Sequence, residues 1–224
     1  MIASAIGAEF NPPLQVNLEE IDGGDWSETW KAHWQPQVFG KNLCVCPGWL
    51  EPPADARVTV KIDPGQAFGT GSHETTALCL TWLSEAKSLA GATVIDYGCG
   101  SGVLAIAAAK LGAGKVIATD IDPVAVAAAQ DNARVNGVEQ QLQCGLPSAF
   151  ATATADVLIA NILLEPLCQL SEQISAGVRQ GGQVLLSGIL DTQIDELKTA
   201  YCDAFDLSPP ILMNEWVMIA GRKK

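Results

Sequence analysis

The sequence predicts an α/β fold in which a mostly parallel sheet carries helices on both faces. Two observations lead to this. From residue 92 onward, short runs rich in Val and Ile alternate with longer Ala- and Leu-rich runs, the pattern of repeated strand–helix crossovers. Hydrophobic residues make up 48% of the chain and charged residues 17%, enough apolar material to bury a sheet on both sides. A length of 224 residues suits one such domain with a short appendage.

The elements follow in order. Residues 1–24 are weakly patterned, with Pro12, Pro13, Gly23 and Gly24. In "DWSETWKAHWQP", Asp25 and Glu28 have capping-box spacing and Pro36 ends the run. Trp26, Trp30 and Trp34 recur every four residues, so they form one aromatic stripe on a short helix, read as a packing surface rather than a ligand cage. "NLCVCPGW" and "RVTVKID" read as two short strands, and "TTALCLTWLSEA" as a helix. Strand "TVID" leads to helix "GVLAIAAAKLG", and strand "KVIATD" to helix "PVAVAAAQDNARVNG". Pro123 opens that second helix and Gly137 closes it. Strands "QLQC" and "ADVLIAN", helix "PLCQLSEQISAGV", strand "QVLLSGI" and helix "DTQIDELKTAYCDAF" come next. The end reads as two strands around a turn. The expected division is a weakly structured segment at 1–24, a linker helix with short strands at 25–62, and one domain at 63–224.

Net charge is −12, from 25 acidic and 13 basic residues. Such a surface repels a phosphate backbone, so direct nucleic-acid binding is not expected. It steers a basic partner inward, or serves solubility alone. Seven cysteines include a C-x-C pair, Cys44 and Cys46, and the two histidines are His33 and His73. No zinc spacing appears, so the expectation is reduced thiols in a cytoplasmic protein without a metal. The start "MIASAIGAEF" lacks a basic leader, and no apolar run reaches membrane-spanning length.

Two glycine-rich runs carry the chemistry. In "DYGCGSG", Gly98, Gly100 and Gly102 lie between a strand and a helix, where a doubly wound sheet binds its ligand. The dinucleotide fingerprint needs its third glycine where Val103 stands. Asp96, two residues before the first glycine, suits a cationic group better than a pyrophosphate. S-adenosyl-L-methionine has an ammonium and a sulfonium and no phosphate, so it fits. Asp120 lies 22 positions after Gly98, where a carboxylate can bond both ribose hydroxyls. Ile121 can lie against the adenine, and Asp122 is assigned to the helix N-cap ahead of Pro123. Asn161 ends the strand "ADVLIAN" and faces the crevice, unless it only caps the next helix. It is followed by Ile162-Leu163-Leu164, with neither the prolines nor the aromatic residue that grip a planar amino group. A flexible primary amine is therefore the better acceptor.

The other run, "DPGQAFGTGSHETT" from Asp63 to Thr76, has no Walker lysine and so is not a phosphate loop. It is expected to cross the open end of the crevice as a gate, hinged by Gly69 and Gly71. Phe68 and the hydroxyls of Thr75 and Thr76 would reach the cofactor's methionine end. A structural turn capping the next helix through Thr75 is the alternative, and both roles can coexist.

Together, "DPGQAFGTGSHETTALCLTWL", "VIDYGCGSGVLAIAAAKLGA", "IDPVAVAAAQDNARVNGV", "ANILLEPL", "LSGIL" and "EWVMIAGRK" closely resemble the PrmA family, which methylates the large-subunit ribosomal protein L11. The resemblance covers about residues 19 to 224. It implies a Rossmann-like class I methyltransferase with a seven-stranded, mostly parallel sheet and an antiparallel last strand. It implies Thr76, Gly98, Asp120 and Asn161 as cofactor contacts. Apart from the resemblance, the side-chain or backbone oxygen of Asn161 is placed to orient the amine in transfer. The activity implied is lysine N-methylation of a basic ribosomal protein. Family members carry a separate front domain that recognises the substrate, and here some two dozen residues precede the linker helix, so that domain is expected to be largely missing. Two alternatives stay open: a short relative that methylates another protein lysine or a small molecule, and a cofactor-binding protein without transfer activity. No residue in these motifs is an obvious base. His73 is nearest in sequence, and desolvation by Phe68, Ile162 and Leu163 can do the same work.

Overall fold

The computed structural model of the chain describes residues 34–41, 43–62, 73–86 and 88–224. Residues 35–224 form one compact unit. Trp26, Trp30, Phe68, Gly69 and Gly71 lie outside the described residues, as do most of the expected linker helix and the proposed gate.

The unit begins with a small sheet of β1 (Gln37–Phe39), β2 (Leu43–Cys46) and β3 (Val58–Lys61). β1 and β2 are antiparallel, β2 and β3 parallel. β2 and β3 are the two strands read from the sequence. β1 was not expected: three residues between Pro36 and Gly40, of which only Phe39 is buried, give no period to read. The small sheet joins the main body through Phe39, Val45, Val60 and Ile62, which share an apolar core with Leu78 and Ile106. Asn136 also bonds both backbone groups of Lys61, accepting from its N–H at 2.8 Å and donating to its carbonyl at 2.6 Å.

The main sheet is built from β4 (Thr93–Tyr97), β5 (Lys115–Thr119), β6 (Leu142–Gly145), β7 (Ala155–Asn161), β8 (Val178–Leu190), β9 (Phe205–Leu207), β10 (Ile211–Met213) and β11 (Trp216–Lys223). Its order is β10-β11-β8-β7-β4-β5-β6, with β9 also on β11. β4 to β8 are parallel to their neighbours, and β11 runs antiparallel to β8. Side chains alternate between two cores. Val94, Val157, Ile159 and Leu185 enter one face, while Ile95, Leu158, Ala160 and Leu186 enter the other. Each such buried Val, Leu or Ile side chain contributes about 1.5–3 kcal/mol.

Helices α1 (Glu74–Glu85), α2 (Val103–Lys110) and α3 (Pro123–Val135) cover the first face with Leu80, Ile106 and Ala133. Helices α4 (Leu164–Gln169), α5 (Ser171–Ala176) and α6 (Ile194–Tyr201) cover the second with Leu167, Ile174 and Leu197. The helix expected at 166–178 is therefore two short ones, interrupted at Leu170. Pro166 falls in the first turn of α4, where its missing N–H has no intrahelical acceptor to lose. Tyr201 ties the pieces together by donating its hydroxyl to Leu167 O at 2.8 Å.

The C-terminal reading of two strands becomes three. β9 and β10 pair with opposite ends of β11, so they are one edge strand in two pieces. Ser208, Pro209 and Pro210 separate them. Two consecutive residues without N–H groups cannot sustain a ladder. This turns the seven strands expected into eight.

Candidate active site

A cavity of about 540 Å³ opens where β4, β5 and β7 end. Parallel strands place those ends on one edge of the sheet, so residues far apart in sequence converge. The glycine turn forms one wall. Gly98, Gly100 and Gly102 have φ of 78°, 51° and 79°, a left-handed region in which side chains are strained. The Gly98 and Cys99 amides donate to Thr119 O at 2.7 and 2.9 Å, which fixes the turn against β5. The glycines are not equivalent. A Cβ on Gly98 would stand 2.3 Å from Ile162 Cγ2, another cavity-lining residue. A Cβ on Gly102 would stand 2.9 Å from Ala129 Cβ, so Gly102 serves the packing of α2 on α3.

Asp120 lines the cavity. Its Oδ2 accepts from Gly100 N at 2.9 Å and its Oδ1 from Asp122 N at 3.0 Å, so the carboxylate also holds the glycine turn. Asp122 caps α3 as expected, accepting from Val124 N at 2.8 Å. Ile121 projects beside Asp120 and is 84% exposed, an apolar flank for a planar ring.

Asp96 is 1% exposed and lies outside the cavity lining. Its Oδ2 accepts from Ala105 N at 3.0 Å, and its Oδ1 is buried without a partner. Burial raises its pKa to about 7; the Ala105 hydrogen bond opposes the rise and the Asp120 charge adds to it. A cation nearby would draw it back to the carboxylate form.

Asn161 lines the cavity from the end of β7. Its amide nitrogen donates to Thr76 Oγ1 at 3.3 Å, and its Oδ1 is buried with no partner. α4 begins beyond Leu163 with no side-chain cap, so Asn161 does not serve as that helix's cap. Thr75 and Thr76 are each 2% exposed in the first turn of α1. Thr75 lines the cavity, whereas Thr76 stands behind Asn161. The cap of α1 is His73 and not Thr75: its Nδ1 accepts from Thr75 N at 3.3 Å and lies 2.9 Å from Thr75 Oγ1. The His73 ring packs edge-on against Trp216, with centroids 4.6 Å apart. Those contacts engage Nδ1 and the ring, and His73 also lines the cavity.

Ile162 and Leu163 form an apolar lip, as expected from the sequence. Tyr97, Pro147, Pro166, Leu170, Gly188 and Trp216 also line the wall and were missed. Gly188 and Trp216 lay inside quoted stretches, "LSGIL" and "EWVMIAGRK", but nothing in their spacing places them beside Asn161. Among the described residues no group of three His, Cys, Asp or Glu is arranged to hold a metal, and no helix is long and apolar enough to cross a membrane.

The donor set suits an adenosyl group with a cationic amino-acid tail. It offers an apolar flank at Ile121, a carboxylate at Asp120, two buried acceptors without partners on Asp96 and Asn161, and a glycine turn that brings backbone close.

Comparison with known proteins agrees with this geometry. The sequence pattern of the family described as "Ribosomal protein L11 methyltransferase (PrmA)" matches residues 3–224, further toward the start than the motifs alone reach. The ribosomal protein L11 methyltransferase of Aliivibrio fischeri (strain MJ11) is 49% identical over 208 residues, which is 92% of this chain and 70% of that protein. The solved ribosomal protein L11 methylase of Lactobacillus delbrueckii subsp. bulgaricus superposes with a TM-score of 0.76 at 34% identity, covering 85% of this chain and all of that one. The T. thermophilus 16S rRNA N2 G1207 methyltransferase (RsmC), solved with AdoMet and guanosine, superposes with a TM-score of 0.59 at 20% identity. It covers 70% of this chain and 45% of that one, a likeness of fold.

Proposed function

The chain belongs to the ribosomal protein L11 methyltransferase (PrmA) family, and from that premise we propose that it transfers methyl groups from S-adenosyl-L-methionine to lysine amines of ribosomal protein L11. The observation that carries this reading is Asn161 Oδ1, a buried acceptor without a partner at the strand end that lines the cavity. The cofactor supplies an electrophilic methyl on a sulfonium.

The chain's residues do the rest. Asp120 accepts hydrogen bonds from a ribose, Gly98 and Gly100 leave room for close backbone approach, and Ile121 flanks the adenine. Thr75 faces the cofactor's amino-acid end, and Asp96 supports its positive charge from beneath the turn. Phe68 belongs to the same proposal from the sequence alone. Thr76 holds the Asn161 amide, so that Oδ1 accepts from the incoming amine and aligns it. Alignment of this kind supplies much of a transfer reaction's acceleration.

The amine must arrive neutral. A free lysine has a pKa near ~10.4, so deprotonation at pH 7 costs roughly 4–5 kcal/mol. With His73 engaged as a helix cap, desolvation by Ile162 and Leu163 is the stronger source of the neutral form. The seven cysteines are all free thiols, which supports a reducing, cytoplasmic setting. The test is transfer of label from tritiated S-adenosyl-L-methionine to purified L11 by the wild type and by Asn161→Ala. Label on L11 that drops at least tenfold in the variant, with cofactor affinity within a few-fold, supports the proposal. Undiminished transfer by the variant removes Asn161 from it, and label on other proteins only removes L11.

A further inference from the structure

A second groove of about 490 Å³ adjoins the cavity and shares Leu163, Gly188 and Trp216 with it. It runs between α4 and α6 beside the end of β8. Its floor includes Leu163, Leu190 and Trp216, and its charged members are Glu165 and Glu196, from the first turns of the two helices. No lysine or arginine is among the described residues that line it. Leu163, 68% exposed, forms the lip between groove and cavity.

Resting on the function proposed above, we infer that this groove holds a second basic side chain of the substrate polypeptide, a few residues from the lysine that enters the cavity. Only the tip of the accepting lysine reaches Asn161, so the chain that carries it lies across the lip. The groove continues from that lip. Its apolar floor matches the aliphatic stem of a lysine or arginine and its carboxylates match the charged head. With a net charge of −12 the whole surface attracts basic chains. What sets the groove apart is that its carboxylates stand directly beside the transfer cavity. An acidic or phosphorylated segment would be repelled by Glu165 and Glu196, and a neutral one would gain no attraction from them. The groove therefore discriminates among lysines by the charge of their neighbours.

Three proteins test this: the wild type, Glu165→Gln/Glu196→Gln, and Asp203→Asn/Asp206→Asn. The last removes the same charge near β9, which pairs with the end of β11 far from Trp216. The expected result for the groove variant is a KM for L11 raised about fivefold, with kcat and cofactor affinity near wild type. The control variant should change KM by less than about twofold. Equal effects from both variants would reduce the groove to bulk charge, and no effect from either would remove it; both outcomes overturn the inference. Binding of a fluorescein-labelled peptide of alternating lysine and alanine, followed by anisotropy, is measured beside the kinetics. If the wild type transfers nothing to L11, it is the proposed function that fails. The peptide then decides the groove: weakened binding to the groove variant alone supports it, and unchanged binding refutes it.

Discussion

Thr76 supports the cavity from behind its wall. Its hydroxyl meets the Asn161 amide and stands behind the cavity wall that Thr75 provides. Replacing Thr76 by Val keeps the shape and leaves a buried donor unmet, which costs about 1–3 kcal/mol. The expected result is a kcat about tenfold lower with cofactor affinity within about threefold. Calorimetry and single-turnover rates separate this from the direct cofactor contact that the family resemblance implies, which would weaken affinity instead. Asp96 gives a pH signature. Its folded pKa is raised from 3.8 to about 7, so the folded chain holds the proton more tightly than the unfolded one. That stability is fully present below 3.8 and is lost as pH rises toward about 7. Urea unfolding without cofactor should show stability falling across that window, and Asp96→Asn should flatten the fall. An unchanged slope in the variant would mean that Asp96 is ionised throughout. At this scale the sequence made much of the cavity lining legible, because Gly98, Asp120 and Asn161 sit at strand ends marked by glycine, proline or a polar residue. The partners of these residues were not legible. Nothing in the spacing tells that His73 caps α1, that Thr76 meets Asn161, or that Trp216 packs against His73.

Among the elements, the glycine turn does two jobs at two positions. An added methyl at Gly98 would collide with Ile162, and one at Gly102 with Ala129. Gly98→Ala is therefore expected to lower cofactor affinity by more than tenfold, because the turn must move at the ligand. Gly102→Ala is expected to cost stability, on the order of 1–3 kcal/mol, as α2 and α3 are pushed apart. Thermal melts alongside cofactor titration distinguish the two, and a reversed pattern would exchange the roles. The central strands β4, β5 and β7 could be read almost to the residue, since each is a β-branched run bounded by turn residues. Three features escaped for physical reasons. β1 is shorter than one period of any pattern. The apolar spacing continues through Leu170, hiding the gap between α4 and α5. β8 was read from Gln183, where regular pairing with β7 begins, yet it extends back to Val178 across a register shift. That shift depends on contacts with another strand.

At the scale of the molecule, charge governs encounter more than grip. An acidic chain meeting a basic protein gains most of its association rate from long-range attraction, which falls once the screening length drops below about 10 Å. Raising salt from 50 to 300 mM should lower kcat/KM for L11 about tenfold while changing kcat little. A KM insensitive to salt would show that recognition is dominated by apolar contact. The broken outer strand of the sheet bears on a different hazard, that of a crowded solution. An open sheet margin is a template onto which a stranger's backbone can add, and at this margin Ile211, Leu212 and Met213 are exposed. Pro209 and Pro210 divide the outer strand into two pieces of three residues each. Neither proline has a hydrogen to offer, and each piece is too short for lasting registry with another chain. The same interruption that spoils the regularity of the sheet keeps copies of the protein from stacking edge to edge.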